Sequence, residues 1–77
     1  MIKKALGRRI RALRRLKRVT QQQLAQRINL SASQLSNIER GKKVPKPELL
    51  EEMAAALNIP REELFGVSES MQRHSIL

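Results

Sequence analysis

Thr20 is followed three residues later by Gln23, and Ser31 three residues later by Gln34. In each pair the hydroxyl can accept from the amide of the third helical residue while the glutamine reaches back to the amide of the cap, so each pair marks a helix start. Eleven residues separate the two starts. That interval holds one helix of about two turns and a sharp reversal, and nothing longer. Helix 2 is therefore expected over residues 21–28 with Leu24, Ala25 and Ile28 facing inward, and helix 3 over residues 32–40 with Leu35 and Ile38 inward. Asn29 stands at the reversal, where asparagine tolerates a left-handed backbone better than any residue except glycine.

The flanking segments have to supply the apolar faces that two short helices need. Upstream, Ile2, Leu6, Ile10, Leu13 and Leu16 recur at spacings of four, four, three and three, the pattern of a helix with one buried stripe. Gly7 lies inside this pattern and costs a helix about 1 kcal/mol against alanine, which suggests a frayed or late-starting N-terminus. Downstream, Gly41 ends helix 3, and the prolines of the 44–47 segment forbid helix until Pro47 can serve in a first turn. Helix 4 follows, with Leu50, Met53, Ala54 and Leu57 inward and Glu48, Glu51 and Glu52 in the N-terminal half that the helix dipole favours for anions. Asn58 closes it, and Pro60 opens a last short helix with Leu64 and Phe65 inward and Gly66 as its stop. β-Branched residues never alternate over a run. The expected fold is all-α with five helices in one domain over residues 1–66, followed by a tail over 67–77 that is mobile or contributes to dimerisation.

Charge is unevenly placed along this framework. The 77 residues carry 16 Lys+Arg against 7 Asp+Glu, a formal net charge of +9. Every acidic residue lies at or after Glu39, so residues 1–38 hold ten basic and no acidic side chains, while 39–77 hold six basic and seven acidic. Such a basic half is either a solvated surface or a face for an anionic partner, and composition alone does not choose. The absence of cysteine removes disulfides, thiolate metal sites and cysteine nucleophiles. No apolar run approaches the roughly 18 residues of a membrane span, and a cytoplasmic protein is expected.

A short helix, a tight turn and a second short helix is the arrangement that lays a helix in a DNA major groove. The stretch from Thr20-Gln21 through Ala25, Leu35 and Ile38-Glu39-Arg40-Gly41 resembles the helix-turn-helix of the lambda-repressor/Cro-like (XRE) family of bacterial and phage transcription regulators. The similarity extends to Leu6-Gly7-Arg8-Arg9-Ile10-Arg11-Ala12-Leu13-Arg14 before the motif and to Pro45, Leu50, Met53, Ala54, Leu57, Leu64 and Phe65 after it, covering roughly residues 5–66. Asn29 departs from the glycine usual there, and Pro60 from a capping Ser or Thr.

With Leu35 and Ile38 turned inward, Ala32, Ser33, Ser36 and Asn37 fall on the N-terminal and outward surface of helix 3, and they are the candidates for base contact. Asn37 can donate and accept together, which suits adenine N6 and N7. Ser33 and Ser36 are short and ambiguous, and Ala32 offers only a methyl group. The bland alternative for all four is a set of small surface residues compatible with a helix. Gln21 opens helix 2, where amides and dipole converge on an anion, and the resemblance implies that its side chain clamps a phosphate. Lys42, Lys43 and Lys46 occupy the loop that the family lays along the DNA backbone. Arg9 and Arg18 are weaker phosphate candidates, and a solvated face is the expectation for most helix 1 cations. The resemblance also implies a structural ion pair between Arg14 and Glu39, the only acid before residue 48.

Other function classes fare worse on the same residues. The sole histidine is His74, in the tail, and there is neither cysteine nor aspartate to build a triad or a metal site, so no enzyme, metal or cofactor is expected. Helix 1 could lie on anionic lipid only by opening the domain, because its apolar stripe is needed to cover the other helices. RNA stacking needs aromatics, and Phe65 is the only one. The expectation is a regulator, of repressor type, binding a palindromic double-stranded DNA operator as a homodimer. An antitoxin-type protein defined by a protein partner is the alternative.

Overall fold

The computed structural model describes residues 2–64, with side chains from Lys4 onward. Four helices follow one another: α1 (Ile2–Leu16), α2 (Gln21–Arg27), α3 (Ala32–Glu39) and α4 (Pro47–Leu57). A fifth helical segment, α5, starts at residue 61 and runs to the end of the described residues. No strand occurs among the described residues. The expectations placed on Phe65, Gly66 and the 67–77 tail lie outside them, as does that on the Ile2 side chain.

Both capping boxes form. The Thr20 amide donates to Gln23 Oε1 at 2.9 Å and the Gln23 amide to Thr20 Oγ1 at 3.1 Å. Ser31 and Gln34 repeat the pattern at 2.9 and 3.1 Å. The helix C-termini share a device as well. Arg18, Asn29, Gly41 and Asn58 adopt left-handed backbone with φ of 59, 63, 77 and 56°. In each case the amide just beyond the left-handed residue donates back to a carbonyl five positions earlier: Val19 to Arg14, Leu30 to Ala25, Lys42 to Asn37 and Ile59 to Ala54, at 2.8–3.0 Å. These bonds satisfy carbonyls that a helix end leaves open and reverse the chain within two residues.

The core is drawn from all five segments. Leu6, Ile10 and Leu13 of α1 meet Leu24, Ala25 and Ile28 from α2 and its cap, Leu35 and Ile38 of α3, Leu50, Met53, Ala54 and Leu57 of α4, and Leu64. Leu16 departs from the expected stripe and is 75% exposed. Two successive three-residue steps from Ile10 rotate a helix position about 120° off the buried face, and α1 ends there. After the left-handed Arg18, Val19 enters the core instead.

Gly7 also departs from expectation, because α1 begins at Ile2 and the glycine does not delay it. Its role is steric. A Cβ at residue 7 would lie 2.5 Å from the Glu39 carbonyl oxygen and 2.6 Å from that of Ile38, so the missing side chain is what lets α1 approach the end of α3. At the same contact Arg14 and Glu39 are both buried, 8% and 4% exposed. Arg14 Nε donates to Glu39 Oε2 at 2.7 Å and Nη2 to Oε1 at 3.1 Å, while Nη1 donates to the Val19 carbonyl at 2.8 Å. On the opposite flank of α1, Arg9 donates to both the carbonyl and the carboxylate of Glu63, tying α1 to α5.

This packing makes two stability predictions. Glu39→Ala strands a buried guanidinium and should cost about 3–5 kcal/mol, whereas Glu51→Ala, which breaks only an exposed 3.6 Å pair with Arg61, should cost less than about 1 kcal/mol. Equal urea midpoints for the two variants would contradict the buried-pair account. Gly7→Ala should lower the midpoint although alanine is the better helix former by about 1 kcal/mol, and a raised midpoint would show that the close approach is dispensable.

Candidate nucleic-acid interface

α3 is fixed on two sides. Leu35 and Ile38 sink into the core, and Glu39 binds Arg14, so the helix cannot roll without exposing apolar surface or breaking the ion pair. Ser33 is exposed, while Ala32, Ser36 and Asn37 are half-buried along the rim of the same helix. The face formed by Ala32, Ser33, Ser36 and Asn37 carries no charge. It offers two hydroxyls, a carboxamide and a methyl group, all short enough to leave the backbone close to whatever it meets.

Asn37 has a neighbour within the chain. Its Oδ1 accepts from Arg40 Nη2 at 3.4 Å, a long contact to an exposed guanidinium. Arg40 is the C-cap of α3, just past Glu39, and so stands one residue beyond the helix that its sequence position suggests. The three-residue spacing from Asn37 is the sequence signal for this pairing.

Gln21 takes a more specific position than that of a first-turn residue. It is half-buried, and its Nε2 donates to Glu39 Oε1 at 3.0 Å. The carboxylate of Glu39 thus accepts from α1 and from the start of α2 at once. One hydrogen of the Gln21 amide is used in this bond, which leaves the second hydrogen for an outside acceptor and fixes the plane in which it points. Gln22 and Gln23 are exposed.

Lys42, Lys43 and Lys46 are exposed along the segment joining α3 to α4. The left-handed turn at Gly41 throws this segment away from the helix axis as soon as α3 ends. The structure therefore gathers Gln21, Arg40 and Lys42 near the C-terminal end of α3, with Lys43 and Lys46 continuing outward. Ala32 and Ser33 lie at the other end, with Ser36 and Asn37 between. Arg9, a weaker phosphate candidate on sequence grounds, is instead engaged by Glu63. Among the described residues, no three His, Asp or Glu side chains cluster so as to hold a metal ion, and no helix is long and apolar enough to cross a membrane.

Comparison with known proteins gives this geometry a lineage. A helix-turn-helix domain family matches residues 5–64. The chain is 45% identical over 58 residues to the uncharacterised HTH-type transcriptional regulator YazB of Bacillus subtilis, covering 75% of this chain and 84% of that one. It is 43% identical over 61 residues to the immunity repressor protein of Bacillus phage phi105, covering 79% of this chain but 42% of the repressor. Among solved structures, the clp gene regulator ClgR of Corynebacterium glutamicum superposes with a TM-score of 0.80 at 34% identity, covering 84% of each chain. The restriction-modification controller protein C.AhdI of Aeromonas hydrophila superposes with a TM-score of 0.76 at 33% identity, covering 79% of this chain and 88% of that one. By name these relatives are regulators, a repressor and a controller, which points to a regulator family and not to enzymes. With its paired capping boxes, left-handed turn and five-segment core, the chain belongs to the lambda-repressor/Cro-like (XRE) family of helix-turn-helix transcriptional regulators.

Proposed function

We infer that this protein is a sequence-specific double-stranded DNA-binding regulator, acting as a repressor in the cytoplasm, that reads the major groove with α3. The observation that carries the reading is an uncharged, partly exposed helix face, locked in orientation by a buried ion pair and followed by three exposed lysines in the next segment. Uncharged short side chains suit base edges, and cations suit the phosphates on either side. The names of two relatives, an immunity repressor and a competence pilus inhibition repressor, support repression over activation.

In this reading Asn37 exchanges its long contact with Arg40 for a bidentate pair with adenine, and Arg40 turns to a phosphate. Ser33, Ser36 and Ala32 contact neighbouring base edges. Gln21 donates its free amide hydrogen to a phosphate oxygen while Glu39 holds the other, and Lys42, Lys43 and Lys46 follow the backbone. One α3 reads too few base pairs to single out a genomic site, which supports a homodimer on two half-sites about 34 Å apart.

Selection of bound duplexes from a random pool tests the reading directly. A dimer returns inverted half-sites at that spacing, and a monomer returns a single element. On the selected operator, Asn37→Ala should weaken binding by about 1–3 kcal/mol and relax preference at one base pair per half-site while non-specific binding is spared. Lys43→Ala should weaken all sequences alike and lower the salt slope by about one for each phosphate no longer neutralised. A pool that returns no preferred sequence, or an Asn37→Ala protein with unaltered preference, would contradict the assignment of α3.

A further inference from the structure

Lys4, Arg8, Arg11 and Arg15 recur on α1 at spacings of four, three and four, so they line one face of the helix over three turns. All four are exposed. None of the four has an ion-pair partner among the described residues, where the pairs are Arg9 with Glu63, Arg14 with Glu39 and Arg61 with Glu51. Neighbours at these spacings repel, each pair costing a helix a few tenths of a kcal/mol.

The position of the stripe gives that cost a use. The α1 face carrying Gly7 and Arg14 packs on the end of α3, and the stripe lies immediately beside it around the helix. Lys4 itself touches Gly41, where a Cβ would meet its Cγ at 2.8 Å. The stripe therefore starts at Lys4 beside the turn that carries Arg40, Lys42 and Lys43, and runs from there along α1.

We propose that this α1 stripe is a second phosphate-binding surface, which grips the DNA backbone flanking the half-site that α3 reads. The partner is the same duplex, extended beyond the operator. From Lys4 to Arg15 the stripe spans about 16 Å at 1.5 Å per residue. A DNA strand presents a phosphate every 3.4 Å along the axis, so this length faces about five of them. The contact carries no base information and makes affinity depend on the length of flanking DNA. It rests on the placement of α3 in the groove.

The test uses the full chain with Arg8, Arg11 and Arg15 all replaced by glutamine. Glutamine is a comparable helix former, and the change removes like-charge pairs, so the variant folds as the parent does, which circular dichroism verifies. Binding is titrated against salt on two duplexes, one ending at the operator and one extended by about ten base pairs, one helical turn, on each side. The parent should show a steeper salt slope on the longer duplex, by about 0.9 for each added phosphate contact. The variant should give the same slope on both. Equal slopes for parent and variant on the long duplex would overturn the proposal, as would an equal weakening on both duplexes, which reports only overall charge. Anionic vesicles that bind the parent and not the variant, with DNA slopes unchanged, would assign the stripe to lipid and also overturn it. Failure of the α3 reading is distinguishable, since it appears as unaltered operator preference in Asn37→Ala whatever the stripe does.

Discussion

The carboxylate of Glu39 joins three helices. It belongs to the last residue of α3, accepts two bonds from Arg14 of α1 and a third from Gln21 at the start of α2. A buried carboxylate and guanidinium lose their hydration, and such a pair often contributes little net stability against an apolar replacement. What it supplies here is geometry. Every hydrogen bond of the group has one direction that satisfies it, so α3 is set in rotation about its axis and in position along it. The close approach at Gly7 fits the same contact, with backbone against backbone beside the ion pair. An α3 that turned by even one residue would carry Asn37 and Ser33 off the outward face.

How much of this could be read from the chain depends on how local each cause is. The two capping boxes and the left-handed turn at Asn29 each involve residues within a few positions, and their residue types announce them. The left-handed Arg18 has no such signal: it ends α1 because Leu13, Arg14 and Val19 are all drawn inward around it. Leu16 shows the limit of counting apolar spacings, since a run of three-residue steps drifts off the buried face. Gly7 shows the limit of propensity. Its cost to the helix is real, but the cause of the glycine lies 32 positions away, at the Glu39 carbonyl. The bond from Gln21 to Glu39 is equally non-local, and nothing in a first-turn glutamine indicates it.

The charge of the chain divides along the same lines. Arg9, Arg14 and Arg27 are absorbed by contacts with Glu63, Glu39 and the Ala56 carbonyl. Lys42, Lys43 and Lys46 are presented by the segment after Gly41. The stripe on α1 belongs to neither group, and Lys4 at its start packs against Gly41, just past the end of α3. In the proposed complex, long-range attraction and local grip come from different cations, and the side chains that meet base edges are uncharged.

In the proposed complex α3, oriented through Glu39, presents the face formed by Ala32, Ser33, Ser36 and Asn37 to the groove as a rigid body. Amide chemical shifts of isotopically labelled protein titrated with the selected operator test it most directly. Large shifts are expected at Gln21, Ala32, Ser33, Ser36 and Asn37, at residues 40–44 and at Lys46, with the amides of Leu24, Met53 and Leu57 unmoved in the core. Shifts centred on α4, or spread evenly through the core, would contradict it.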